Sequence, residues 1–148
     1  MEKALVVLSG GQDSTTCLYW AIERFGVTAV ESVTFDYGQR HRTELESAAT
    51  VAKFAGVANR CLPIDTFAAL GGDALTDPEL DVADDVDDST GLPNTFVPGR
   101  NLIFLTYAAA YAYQHDIRHL VTGVAQTDYS GYPDCRQETI DALQTALR

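Results

Sequence analysis

Residues 3–16 read Lys3-Ala4-Leu5-Val6-Val7-Leu8-Ser9-Gly10-Gly11-Gln12-Asp13-Ser14-Thr15-Thr16, and the order of residue types in this stretch decides the fold. The apolar run is too short for a helix and ends in glycine, which marks a buried strand and a tight turn. Behind it Leu18, Ala21, Ile22 and Phe25 fall on one helical stripe over residues 13–25, and Gly26 stops the pattern. A strand, a glycine turn and a helix start aim several backbone N–H groups and the positive end of a helix dipole at one point, which suits a phosphate. Gly10 and Gly11 are expected to take positive φ and let the backbone approach the anion. Ser9, Ser14, Thr15 and Thr16 add hydroxyl donors around Gln12. Asp13 is placed either to cap the helix or to help hold a metal–phosphate complex. The loop is neither GxxxxGK[ST], since it has no lysine, nor GxGxxG.

The same alternation continues along the chain. Residues 29–35 read as a second apolar strand. Thr43-Glu44-Leu45-Glu46 reads as a capping box opening a helix, with Leu45, Ala48, Ala49, Ala52 and Ala55 on one face and Gly56 past its end. Residues 60–64 make a short third strand. A loop over residues 71–98 carries most of the Gly, Pro and Asp. Residues 100–115 form a helix apolar nearly all round and so expected to be buried. Residues 118–124 read as a fourth strand, and residues 136–147 as a helix with Ile140, Leu143 and Leu147 along one side. Strands alternating with helices imply an α/β three-layer sandwich on a parallel sheet, one domain over residues 1–148. Ligands of such sheets sit at the carboxyl ends of the strands, and the distinctive stretches all fall there: after strand one, after strand two and after strand four.

Composition narrows the class. The chain has 148 residues, 46% hydrophobic and 21% charged, as in soluble globular domains. Its longest apolar stretch, residues 102–113, is too short to span a bilayer, and no leader pattern opens the chain, which implies a cytoplasmic protein. Cys17, Cys61 and Cys135 are odd in number and widely spaced, so they form neither a disulfide framework nor a metal site within this chain. The net charge of -11 is concentrated between Asp73 and Asp88, which contain eight carboxylates and no Lys or Arg. That spacing does not match an EF-hand loop, and a solvated, mobile excursion is the expectation. An acidic surface also argues against a nucleic-acid footprint.

Ser9-Gly10-Gly11-Gln12-Asp13-Ser14 after the first strand resembles the pyrophosphate-loop motif of the N-type ATP pyrophosphatases, which share an adenine nucleotide alpha hydrolase-like fold. Four further stretches narrow the likeness: Phe35-Asp36-Tyr37-Gly38-Gln39-Arg40-His41, Pro93-Asn94-Thr95-Phe96-Val97-Pro98-Gly99-Arg100-Asn101, Thr122-Gly123-Val124, and Asp128-Tyr129-Ser130-Gly131-Tyr132-Pro133-Asp134-Cys135-Arg136. In this order, from residue 3 to the end, they resemble the 7-cyano-7-deazaguanine synthase family of queuosine biosynthesis. The resemblance implies ATP and Mg2+ as cofactors, with 7-carboxy-7-deazaguanine and ammonia as substrates. ATP adenylates the carboxylate, ammonia displaces AMP to give the amide, and a second ATP activates the amide oxygen, whose loss leaves the nitrile. The family's fifth strand and its four-cysteine Zn2+ site have no counterpart here. The expectation is therefore less than a whole enzyme, truncated or shortened, that self-associates or packs on other material as a homodimer would.

By this resemblance Ser9, Gly10, Gly11, Gln12, Asp13, Ser14, Thr15 and Thr16 hold the phosphates, Leu8 with Thr34 and Phe35 borders adenine, and Gly123 approaches the nucleotide or is only a turn glycine. Ser9, Asp13 and Arg100 are the catalytic candidates. Arg100 pairs with phosphate or with the substrate carboxylate, or else with the acidic loop; Asn101 contacts substrate or merely starts the helix. Asp128, Tyr129, Ser130, Tyr132 and Asp134 are the candidates for reading the deazaguanine edge, by a carboxylate accepting two N–H groups and a tyrosine stacking on the ring. Asp134 as cap of the last helix is the competing reading. Arg40 and His41 are candidates for phosphate or substrate, with His41 ranked low; His115 and His119 read as surface positions. Two other functions stay open: another amide-forming or tRNA-modifying member of the same superfamily, and a nucleotide-binding module without turnover.

Overall fold

The first strand, β1 (Ala4–Val7), is buried on both faces, so its side chains must serve two cores at once. Leu5 packs with Val33, Phe35, Ala108 and Ala112, whereas Val6 and the following Leu8 pack with Leu18, Ala21, Ala48 and Ala52. That two-residue alternation sets a helical layer on each side of the sheet. The coordinates are a computed structural model and describe residues 1–38, 42–70, 99–124 and 136–148.

One layer holds α1 (Gln12–Phe25) and α2 (Thr43–Ala55). The other holds α3 (Thr66–Leu70) and α4 (Arg100–Gln114), with α5 (Gln137–Leu147) packed on α4. Between them β2 (Val30–Asp36), β3 (Ala58–Pro63) and β4 (His119–Val121) join β1 in a sheet ordered β3-β2-β1-β4, with every pairing parallel. Ala4 pairs with Val30 on one side and His119 on the other. This is the three-layer α/β sandwich implied by the sequence. Among the described residues no helix is long and apolar enough to cross a membrane.

Several local expectations change in detail. The capping box does not form: α2 begins at Thr43 itself, with Arg42 in the N-cap position at helical dihedrals of φ -73 and ψ -8 and no side-chain cap. Arg42 pairs with Asp36 at 2.6 Å, and the helix starts one residue before the sequence pattern places it. At the other end Gly56 does take the left-handed conformation, φ 75, and closes the helix. Helix α4 buries only Leu105, Ala108 and Ala112, while Tyr107 and Tyr113 face outward, 50% and 88% exposed. An outer-layer helix meets the sheet along one stripe, whatever its remaining composition. Strand β4 stops at Val121, because Thr122 to Val124 leave the ladder to form a cavity wall. The short helix α3 went unforeseen. The acidic loop, residues 71–98, lies outside the described residues.

Candidate functional site

From β1 the chain moves through α1 to β2 and on to β3, then returns across β1 to β4. The strand order therefore reverses between β1 and β4, where the two strand ends and their following loops diverge and leave a crevice. A cavity of about 510 Å³ opens there. Its walls include Leu8, Ser9, Gly10, Gly11 and Ser14 from the first loop, Thr34 and Phe35 from β2, Arg100 and Asn101 from α4, and Gly123. Stretches far apart in sequence thus converge on one space. Gln12, Asp13, Thr15 and Thr16 lie on the first turns of α1 but are not among the lining residues.

The loop holds itself open with a closed hydrogen-bond circuit. Ser14 Oγ accepts the Ser9 N–H at 3.0 Å and donates to the Gly11 carbonyl at 3.3 Å; Ser9 Oγ lies 3.1 Å from it and accepts the Gly11 N–H at 3.3 Å. A hydroxyl has one hydrogen, so Ser14 donates to Gly11 and Ser9 donates to Ser14. Both hydroxyl hydrogens are thereby used within the loop, and Thr16 Oγ1 donates along the helix to the Gln12 carbonyl at 2.9 Å. The first-turn backbone N–H groups of α1 have no helical acceptor, and α1 has no side-chain cap. The N-cap is Gly11, not Asp13.

The two glycines differ. Gly10 has φ +84, and a Cβ there would lie 2.7 Å from both Ala48 N and Ser47 Cβ. Gly11 is extended, with φ -75 and ψ 170, and needs no glycine conformation. Gly10 thus serves the close packing of the loop on α2, a reason the sequence did not disclose. That packing brings Thr43, Glu44, Leu45 and Ser47 of α2 into the cavity wall, all missed by sequence reasoning. Gly123 is comparable: a Cβ there would lie 3.1 Å from Cys17 Sγ and 3.3 Å from the Asp13 carbonyl oxygen. It seats the β4 end against the first turn of α1.

Beneath the cavity Thr34 Oγ1 lies 2.7 Å from the Leu8 carbonyl, tying the end of β1 to β2. Asn59 Oδ1 sits 3.1 Å from Thr34 Oγ1 and 3.0 Å from Ser32 Oγ, so the buried polar groups of β2 have partners. On the α4 side Phe35 stacks on Phe104 at 4.6 Å, and Tyr37 packs against both Phe67 and Phe104. Arg100 Nη1 donates to the Tyr37 hydroxyl at 3.2 Å, and the guanidinium carbon lies 5.6 Å from the centre of that ring.

Asp36 is held below the usual carboxylate range first by the hydrogen bond from Arg42, and further by the Gly38 N–H. Burial raises the Cys17 thiol, with Asp13 adding to the effect. His119 is half-buried beside Phe25 and 3.5 Å from Glu2, not simply a surface position, whereas His115 is exposed and stacks on Tyr111. Among the described residues no three His, Cys, Asp or Glu side chains cluster to hold a metal. Arg40 and His41, and the base-reading candidates Asp128, Tyr129, Ser130, Tyr132 and Asp134, lie outside the described residues. The N-cap of α5 is Arg136, with no side-chain cap bond.

The family model described as "Queuosine biosynthesis protein QueC" matches residues 3–148. Curated relatives include proteins named 7-cyano-7-deazaguanine synthase from Chromobacterium violaceum, 69% identical over 147 residues, and from Laribacter hongkongensis, 64% identical over 146 residues. Each match takes in 99% of this chain but only 63% of the relative, so the chain spans less than two thirds of their length. Among solved structures, a predicted subunit of tRNA methyltransferase from Methanocaldococcus jannaschii superposes with a TM-score of 0.54 at 13% identity, covering 99% of this chain and 64% of that one. An NH3-dependent NAD synthetase from Campylobacter jejuni gives 0.51 at 12% identity, over 78% of this chain and 44% of that one. At these identities the likeness is one of fold.

Proposed function

Because the chain belongs to the QueC family of queuosine biosynthesis proteins, we propose that it is the ATP-binding and substrate-activating part of a 7-cyano-7-deazaguanine synthase. The observation that carries this reading is the cavity at the strand-order reversal, with the glycine turn before α1 on one wall and Arg100, Asn101 and aromatic rings on another.

Hydroxide is a poor leaving group from a carboxylate and AMP a good one, so the substrate oxygen is adenylated at the α-phosphate with loss of pyrophosphate. Ammonia adds to the acyl carbon and expels AMP, giving the amide. A second ATP adenylates the amide oxygen, and loss of AMP with the amide protons leaves the nitrile. The chemistry asks of the protein positioning and charge stabilisation, not a nucleophilic side chain. The first-turn N–H groups of α1 hold the β- and γ-phosphates, with Ser9, Gly10, Gly11, Gln12, Asp13, Ser14, Thr15 and Thr16 shaping that end. Leu8, Thr34 and Phe35 border adenine and Gly123 closes over the nucleotide. Arg100 meets the charge at the reacting centre, beside Asn101. Arg40 and the Asp128–Asp134 segment supply the remaining substrate contacts.

A magnesium ion fits here in type, since Mg2+ takes phosphate oxygens plus a carboxylate or two. Glu44 is the carboxylate among the lining residues and Asp13 is the one nearby on α1. When bound, the ion would neutralise the departing pyrophosphate. The substrates are small molecules, and ATP consumption puts the reaction in the cytoplasm. A nucleic-acid partner does not suit a chain of net charge -11. The apolar stripe of α5, where Leu147 is 41% exposed and no residue is buried, favours self-association.

The test is a Ser9→Ala/Asp13→Ala double variant, followed by ATP calorimetry and by AMP release with and without 7-carboxy-7-deazaguanine. Lost ATP affinity in a folded variant is expected. Wild-type affinity and turnover would refute the assignment. ATP binding by the wild-type chain without substrate-dependent AMP would make this a nucleotide-binding module.

A further inference from the structure

We propose that Tyr37 is a positioning residue for Arg100: it fixes the guanidinium in the cavity wall so that its fork faces an oxyanion of the bound substrates. The proposal rests on the reaction above. A free arginine side chain wags through many rotamers, and an oxyanion clamp loses affinity for every one it must give up. Tyr37 removes that freedom by two contacts at once, the hydroxyl accepting from Arg100 Nη1 at 3.2 Å and the ring face 5.6 Å from the guanidinium carbon. The tyrosine is itself buried. It is only 7% exposed and is wedged against Phe67 and Phe104 at ring separations of 6.1 and 5.3 Å. The planar guanidinium fork suits bidentate pairing with a carboxylate or a phosphate. Tyr37 and Arg100 both line the cavity, although 63 positions separate them in the chain. Tyr37 sits just past β2 and Arg100 opens α4, so the pair also locks the helix start to the sheet.

Carboxylate and phosphate share this chemistry, and two affinity ratios separate them: 7-carboxy-7-deazaguanine against 7-deazaguanine, and ATP against adenosine. Calorimetry on the 148-residue chain gives all four constants. Arg100→Ala is expected to collapse one ratio on the order of a hundredfold, by removal of a charge-assisted pair. Tyr37→Phe keeps the packing and removes only the hydroxyl. It should lower that same ratio about tenfold, the worth of one hydrogen bond to a charged group, and leave the other ratio unmoved. The ratio that moves identifies the oxyanion. Should Tyr37→Phe fail to fold, Arg100→Lys asks the same question, since a lysine retains the charge but loses the held fork. An Arg100→Ala loss with no change in Tyr37→Phe, or in Arg100→Lys where that replaces it, overturns the positioning role alone. If Arg100→Ala moves neither ratio, Arg100 binds no oxyanion and the proposal falls. If the wild-type chain binds neither ATP nor the carboxylated base, the reaction itself is misassigned.

Discussion

Gly10→Ala and Gly11→Ala are adjacent, chemically identical changes for which the structure requires unequal results. At Gly10 the new Cβ would sit 2.7 Å from Ala48 N, 2.7 Å from Ser47 Cβ and 2.9 Å from Ser47 C, and φ is +84. Left-handed backbone costs a non-glycine residue about 1–2 kcal/mol. The clash is with helix backbone rather than a flexible tip, so relief means moving α2 or the loop, at about 1–3 kcal/mol for overpacking. The sum is roughly 2–5 kcal/mol, a large share of the ~5–15 kcal/mol that holds a typical domain. At about 2–4 °C per kcal/mol for a domain of this size, melting should fall by roughly 5–20 °C. At Gly11, φ is -75 and the nearest atom to a new Cβ is Ser9 Oγ at 3.4 Å. Alanine is compatible with that backbone, and the gain of up to about 1 kcal/mol from lost unfolded-state entropy is set against the N-cap preference for glycine over alanine, so the change should stay within about 1 kcal/mol of neutral. The assay is thermal and urea unfolding of the three proteins side by side, with ATP calorimetry on each. Gly10→Ala should also lose ATP affinity, because loop and α2 share the cavity wall. Equal melting points for the two variants, or Gly11→Ala as the weaker protein, would refute the packing argument.

Thr34→Val removes the hydroxyl that meets the Leu8 carbonyl at 2.7 Å and leaves that carbonyl without it, so urea unfolding should show a loss of about 1–3 kcal/mol; an unchanged midpoint would deny that tie. Asp36 has its pKa lowered in the fold, chiefly by the Arg42 hydrogen bond, so its contribution is present above the unfolded carboxyl's pKa of about 4 and is lost as pH falls through the lower folded value. The pair is partly exposed, with side chains 26% and 59% accessible, so Asp36→Asn should cost no more than about 1 kcal/mol at pH 7 and flatten the acid limb of the stability profile; parallel acid limbs would contradict this. Gly123→Ala drives a methyl toward Cys17 Sγ at 3.1 Å and should cost about 1–3 kcal/mol, with part of the loss recovered in a Gly123→Ala/Cys17→Ala double variant. Strict additivity of the two changes would place the strain elsewhere.

What residue order alone determined here was whatever depends on near neighbours in the chain. Ala4 to Leu8 must be a doubly buried strand because consecutive apolar side chains point to opposite faces, and Leu5 and Val6 do enter different cores. Ser9 to Ser14 must turn there because a glycine pair interrupts the run, and the phosphate-type loop and the three-layer class follow from that local chemistry. The family likeness was legible for the same reason, since each of its motifs is contiguous. What tertiary structure decided is what each motif touches. Gly10 also lies so close to Ser47 and Ala48, some forty residues later, that no side chain fits there. Glu44 and Ser47 enter the cavity only because that contact draws α2 against the loop. Ser9 and Ser14, the candidates for phosphate contact, also bond to one another and to Gly11 in a circuit closed by the turn's three-dimensional path. The hydroxyl of Tyr37 and the guanidinium of Arg100 are separated by 63 positions, and no periodicity links them. Local pattern encodes which way a side chain faces; the partner it finds depends on how the layers close, and that is a property of the whole core.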